Sequence, residues 1–306
     1  MRNRNFRVIM NYSVFQQSLC TSIFSEKGIK MKPLEKVAKT VFALVCGSAI
    51  SLSLMSCGAK DTLPEFVKDE MKLVWSDEFD GPSDEPNPEV WNYKEGAHGW
   101  GNNELQNYTK DRENSYVSNG TLKIEAKKNE KGKWTSARLF SQYKKSVAYG
   151  YIEVRAKVPV DKGCWPAIWM LPERNAYGIW PRSGEIDIME ASANVWGNKV
   201  YGTAHCLAGH GGNPIISVGK EMKKIDKKWH TYAVNWTPEG ITWYYDGQVL
   251  TDYRNPHNAE DDWMAWPFDQ PFHFIFNIAM GGNLGGDIDK KLEKCVMEID
   301  YVRVYE

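Results

Sequence analysis

Cysteine is scarce, histidine is scattered, and neither sign of charge dominates. The 306 residues contain six Cys and six His, and the His show no metal-ligand spacing, so neither a disulfide-dense scaffold nor a zinc site is indicated. Formal net charge is only -1, with 38 basic and 39 acidic side chains spread along the chain. That balance lacks the positive footprint of a nucleic-acid binder and leaves a neutral partner. There is no internal repeat and no low-complexity tract, which removes solenoid and propeller readings, and no helical pattern compares with the strand signal described below. Aromatic side chains are what the sequence has in excess: 13 Trp and 15 Tyr. Their flat faces suit stacking as well as a core, and a single Trp does not decide between the two.

A second shortage concerns the leader. From Met31 the chain reads MKPLEKVAKTVFALVCGSAISLSLMSCG, a lysine-bearing start, an apolar stretch and then small residues, the layout of an export signal. Its apolar part, from Thr40 to Met55, falls short of the roughly 20 residues that span a bilayer, against the alternative of a retained membrane helix. Leu54-Met55-Ser56-Cys57 resembles a bacterial lipobox, so residues 31–56 are expected to be removed and Cys57 to carry lipid. An ordinary signal peptide with a chance Cys is the alternative. Residues 1–30 precede a credible initiator and read as a misassigned upstream extension. Residues 57–71 read as a polar linker, and 72–306 as one catalytic domain. The expected location is lipid-anchored at the outer membrane or cell surface, otherwise periplasmic or secreted, with the membrane met only through the anchor and the chain a monomer. Cys164, Cys206 and Cys295 then remain, and their spacing selects no disulfide pair.

The remaining chain is long enough for a full core without staples. Segments rich in Val, Ile, Tyr, Trp and Thr recur in it: TLKIEAKK, YGYIEVRAKV, EIDIMEAS, WHTYAVNWT, ITWYYDGQVL, FHFIFNIAM and MEIDYVRVYE. Several alternate apolar with polar, the mark of strands buried on one face, and their number predicts two packed antiparallel sheets. Asp246-Gly247 between two such runs predicts a hairpin, since both positions tolerate positive φ.

The stretch PRSGEIDIMEASANVWG, residues 181–197, concentrates the chemistry. In a regular strand Glu185 and Asp187 share one face, while Glu190 points the other way into the core. A buried unpaired carboxylate is costly. Either it is paired internally, or an extra residue near Ile188-Met189 forms a β-bulge that returns Glu190 to the face of the other two. Three acids so placed repel one another and favour a mixed protonation state near neutral pH. Glycoside hydrolysis needs that state, with one carboxylate attacking the anomeric carbon while the other protonates the leaving oxygen. A calcium-ligand cluster or a solvated charged face is the alternative for the acids alone.

GEIDIMEA resembles the signature of glycoside hydrolase family 16, in the E-x-D-x-x-E form of its laminarinase-type members. The resemblance continues through LVWSDEFDG, WGNNELQNYT, TSARL, YGYIEVRAKVP, GCWPAIWMLP, GTAH, FIFNIAMGGNLGG and MEIDYVRVY. It implies an all-β jelly-roll sandwich with a concave cleft, Glu185 as nucleophile, Glu190 as general acid/base and Asp187 as the residue orienting Glu185. It implies a β-glucan partner, cleaved at β-1,3 bonds with mixed 1,3/1,4 glucan also considered. Asn103, Arg138, Trp165, Trp169, Trp180 and His205 match its cleft positions. No cofactor is implied for catalysis. A structural calcium is implied on the convex side through main-chain oxygens and an Asp, with Glu78, Gly120 and Asp300 at the matching positions. Cys164 and Cys206 depart from the pattern beside the cleft, where either a narrowed subsite or a disulfide is open. The alternatives are another β-glycan such as an algal galactan, transglycosylation, or a carbohydrate-binding jelly roll without turnover, and the three intact acids argue against the last.

Overall fold

The alternating runs become strands, and they divide between two sheets. The structure, a computed structural model, describes residues 62–257 and 262–306; the upstream extension, the export signal and Cys57 lie outside the described residues. In chain order the elements are α1 (Glu65–Glu70), β1 (Leu73–Asp77), β2 (Asn92–Tyr93), β3 (Asn107–Tyr108), β4 (Ser115–Ser118), β5 (Thr121–Lys128), β6 (Trp134–Ser136), β7 (Arg138–Phe140), β8 (Ser146–Val147) and β9 (Gly150–Lys157). They continue with β10 (Cys164–Pro172), β11 (Glu185–Ala191), α2 (Ala193–Trp196), β12 (Lys199–His205), β13 (Ile216–Glu221), β14 (His230–Thr237), β15 (Gly240–Tyr245), β16 (Gln248–Arg254), α3 (Asp262–Ala265), β17 (Phe272–Met280), α4 (Gly282–Gly285) and β18 (Lys294–Tyr305). One sheet runs β16-β15-β14-β9-β18-β5-β6-β3, with β1 on β18 and β4 on β5. The other runs β13-β12-β11-β10-β17-β7-β2, with β8 on β17. All pairings are antiparallel except β3 with β6.

The jelly-roll sandwich expected from the sequence follows from where the apolar faces go. On β17, Phe272, Phe274, Phe276 and Ile278 are fully buried and meet Val234, Trp236, Ile241 and Trp243 of the opposite sheet in one core. Trp236 crosses Phe272 edge-on at 5.3 Å. Each such side chain contributes roughly 1.5–3 kcal/mol by leaving water. The alternate residues of β17, His273, Ile275, Asn277 and Ala279, line the outer face of the eight-stranded sheet, and that face carries the acids. The Asp246-Gly247 hairpin forms as expected, with φ of 51° and 71° at the two positions joining Tyr245 to Gln248.

One local reading is corrected, and one that was left open is resolved. The described part of the expected linker, from Thr62 on, is folded: α1 buries Val67 to 1% exposure and sets it with Leu63, Phe66 and Met71 against Tyr151, Ala233, Tyr244 and Tyr305 on the outer face of the ten-stranded sheet. Six residues are too few to print a helical period, and the packing makes the helix. Among the three remaining cysteines the pair left open by spacing is Cys164–Cys295, while Cys206 is reduced and buried. The bridge ties β10 to β18, one sheet to the other, across 131 residues of chain. Replacing both cysteines by Ala is expected to lower unfolding free energy by about 2–4 kcal/mol, measured as a lower urea midpoint with a steeper slope, because the unfolded chain expands once its cross-link is gone.

Candidate active site

The bulge inferred from the parity of Glu190 forms where it was expected. Against β12, Asp187 faces Thr203 and Glu190 faces Tyr201, so Ile188 and Met189 together oppose the single residue Gly202. Against β10, Met189 faces Ile168 and Asp187 faces Trp169, which leaves Ile188 unmatched. An extra residue frees backbone carbonyls that a regular ladder would satisfy. Two long side chains of β15 reach through the core to take them: Trp243 Nε1 donates to Asp187 O at 2.8 Å, and the Tyr245 hydroxyl donates to Ile188 O at 3.0 Å. Trp243 lies so close beneath β12 that a Cβ on Gly202 would fall 2.4 Å from its ring. Only glycine leaves that room.

With the bulge in place Glu185, Asp187 and Glu190 share the cleft face. Each outer acid receives an indole N–H: Trp180 Nε1 donates to Glu185 Oε2 at 2.5 Å, and Trp165 Nε1 donates to Glu190 Oε1 at 2.9 Å. His205, paired with Glu185 in the β11–β12 register, brings Nε2 to 3.3 Å from Asp187 Oδ2 without hydrogen-bond alignment, so that buried oxygen lacks a partner. Ligating atoms of Glu185, Asp187 and His205 all lie within 4.8 Å of one another.

Burial is the main reason that all three acids hold protons more tightly than free carboxylates. Desolvation, then repulsion from Asp187, raises Glu185 to about 8, against the stabilising His205 and Trp180. Desolvation raises Glu190 to about 7 despite the Trp165 bond. Asp187 is raised well above the carboxylate range by desolvation and by Glu190. It is 2% exposed and its Oδ2 has no donor, so of the neighbouring pair Asp187 keeps the proton. Once it does, its repulsion of Glu185 disappears, and Glu185, with its indole donor and imidazole neighbour, becomes the carboxylate that ionises.

The other expected cleft residues fall on both sides of this strand. Trp165 and Trp169 of β10 sit four apart on the cleft face. Trp169 Nε1 donates to Asn277 Oδ1 at 2.7 Å. Arg138 of β7 lies between the rings of Trp100 and Trp169, at 4.9 and 4.7 Å, a planar cation held flat by two aromatic faces. Asn103 is exposed and donates to Asn283 Oδ1 at 2.9 Å. Trp180 is 47% exposed and its ring is 6.2 Å from that of His205. A depression of about 250 Å³ runs from Trp180 past Arg138 to Lys94, Phe140, Gln142 and His273. Sequence reasoning missed the supports. Asn277 donates to the Tyr108 hydroxyl, and Tyr108 to Glu104 Oε2, at 3.0 and 3.3 Å. The signal available was a lone Asn inside the apolar run FHFIFNIAM.

Residues 102–303 match the family model of glycosyl hydrolases family 16. The chain belongs to that family. A β-glucanase of Rhodothermus marinus is 43% identical over 90% of this chain and 96% of its own length. The solved laminarinase of Rhodothermus marinus superposes with a TM-score of 0.73 at 44% identity, covering 77% of this chain and 97% of that one. A laminarinase of Flavobacterium sp. UMI-01 gives 0.70 at 39% identity, covering 77% and 100%. As a family 16 member the protein is a glycoside hydrolase, and this family needs no catalytic cofactor.

The three positions offered for calcium have partners or turns of their own. Both oxygens of Glu78 accept from Arg303, each at 2.8 Å, and Asp300 is paired with Arg155. Gly120 sits in the tight Asn119-Gly120 turn between β4 and β5. Calcium takes six to eight oxygens, and of these three positions only Asp300 would offer its side chain, which Arg155 engages.

Raised carboxylate values have a cost for the fold. A group held above its unfolded value favours the native state only while protonated, so its contribution is lost as pH rises toward the native value. Asp187→Asn is therefore expected to match the parent below about pH 4, the ordinary carboxylate range, and to gain thermal stability progressively as pH rises above it. Each kcal/mol of gain raises the melting temperature by about 2–4 °C, read in a pH series of melting curves.

Proposed function

We propose that this family 16 hydrolase cuts internal β-1,3-glucosidic bonds of laminarin-like glucan with retention at the anomeric carbon. The reading rests on the bulge, which turns two glutamates, each with its own indole donor, onto one aromatic-lined face. Glu185 attacks the anomeric carbon as Glu190 protonates the departing glycosidic oxygen. Glu190 then takes a proton from water, which displaces Glu185 and restores both acids. Protonated Asp187 keeps Glu185 ionised and aligned. Arg138 and Asn103 suit sugar hydroxyls, and Trp165, Trp169 and Trp180 suit the apolar faces of pyranose rings. His205 lies where it can bond Asp187 or the sugar. The names of the relatives, a β-glucanase and laminarinases, support the β-1,3-glucan substrate.

Export with lipid on Cys57 is proposed as well. The Cys164–Cys295 bridge supports it, because such bonds persist in oxidising compartments.

Laminarin hydrolysis followed by NMR should show the β-anomer first, and early α-anomer would reject the mechanism. Glu185→Ala should lower kcat by about 10³-fold or more while glucan still binds. A parent-like rate would remove Glu185 from the nucleophile role. The alkaline limb of kcat/KM should fall near pH 7, where Glu190 loses its proton. Because the Trp165 bond favours the charged form of Glu190, Trp165→Phe should move that limb upward.

A further inference from the structure

The cleft carries an aromatic stack that neither the sequence motifs nor the proposed chemistry uses. Tyr201 of β12 stands directly across from Glu190, and cross-strand partners face the same side of a sheet. Its ring lies over Gly219 of β13, where a Cβ would come within 2.5 Å of it. On the other side Trp196 stacks on it, with centroids 4.3 Å apart and planes inclined by 30°. Gly219, Tyr201 and Trp196 thus rise in layers from the sheet at the Glu190 end of the acid strand.

The segment that presents Trp196 is tied down. Trp196 closes the single-turn α2, and this turn is held to the loop around α4 from two positions. Ser192 caps α2 and also donates to Leu284 O. Asn194 donates to Gly285 O and, at 2.7 Å, to Asp287 O. A surface turn whose own packing is slight, with Val195 half exposed, is held by four side-chain bonds that fix the Trp196 ring in place. Pre-organisation of this kind cuts the entropy cost of binding a ligand.

We infer that Trp196, backed by Tyr201, is a sugar-stacking platform for the departing part of the glucan, and so a specificity-determining residue. This rests on the hydrolase reading above. Arg138, the hydroxyl-directed cation, lies on β7 over Trp169 of β10, on the β10–β7 side of the acids, and suits the glycosyl unit that must stay through the covalent intermediate. The departing chain leaves across β12, where the next flat apolar surface beyond Glu190 is the Trp196 ring. An indole against a pyranose unit recognises its apolar face and tolerates different linkages, so the platform selects for chain length rather than for bond type.

The test compares Trp196→Ala and Trp196→Phe in the full chain on two substrates. Laminarihexaose places sugar units on the departing side, whereas β-laminaribiosyl fluoride releases only fluoride there. For Trp196→Ala, kcat/KM on laminarihexaose should fall about tenfold, through KM, and transfer to added laminaribiose should drop with it. The rate on the fluoride should stay within about twofold, and Trp196→Phe should restore most of the loss. Equal losses on both substrates would make Trp196 a structural support of the site, and no loss on either would leave the platform without function; both overturn the inference. Inactivity of the unaltered chain on laminarihexaose would overturn the substrate reading and the platform with it.

Discussion

The active site depends on one surplus residue. Without Ile188 in excess of the β12 register, Glu190 would face the core and Glu185 would have no partner across the scissile bond. The surplus has a cost, since it leaves carbonyls with no ladder partner, and the fold meets it from the far sheet with the indole of Trp243 and the hydroxyl of Tyr245. The chemistry of one sheet is therefore fixed by residues of the other. Gly202, which looks unremarkable in sequence, is the space through which that support passes.

The same burial that shields the acids makes them expensive. Aromatic walls and the sheet behind them remove water, and the three carboxylates respond by holding protons. Asp187 takes the largest share because nothing donates to its inner oxygen, while Glu185 and Glu190 each have an indole N–H that makes a charge tolerable. The ordering that acid/base chemistry requires thus comes from unequal hydrogen bonding among three residues on one strand, rather than from distance between them.

Much of this was legible in the sequence, for identifiable reasons. Period-two alternation located the strands because one face of each meets the core. The parity of Glu190 against Asp187 required an irregularity, and its position followed from Ile188 and Met189, the two residues between them. What was not legible depended on partners distant in sequence. The helix at residues 65–70 is too short to show a period and exists because Val67 and Phe66 find tyrosines on the outer sheet face. The carboxylates of Glu78 and Asp300 look unpaired until Arg303 and Arg155 are brought beside them. The clamp on Arg138 needs Trp100 from a loop and Trp169 from another strand, and the choice of Cys164 with Cys295 needs both sheets assembled.

The two ends of the folded body meet. Lys72 and Glu306 exchange both backbone hydrogen bonds, at 2.7 and 3.0 Å, and the helix just before them lies on the outer face of the ten-stranded sheet, with the acids on the outer face of the other. Thr62, where the described residues begin, bonds Thr231 of β14 on that same side, away from the acids. Chain closure and chemistry thus occupy opposite faces, so that a label or surface fixed to the helix face would leave the cleft open for a long glucan to lie across.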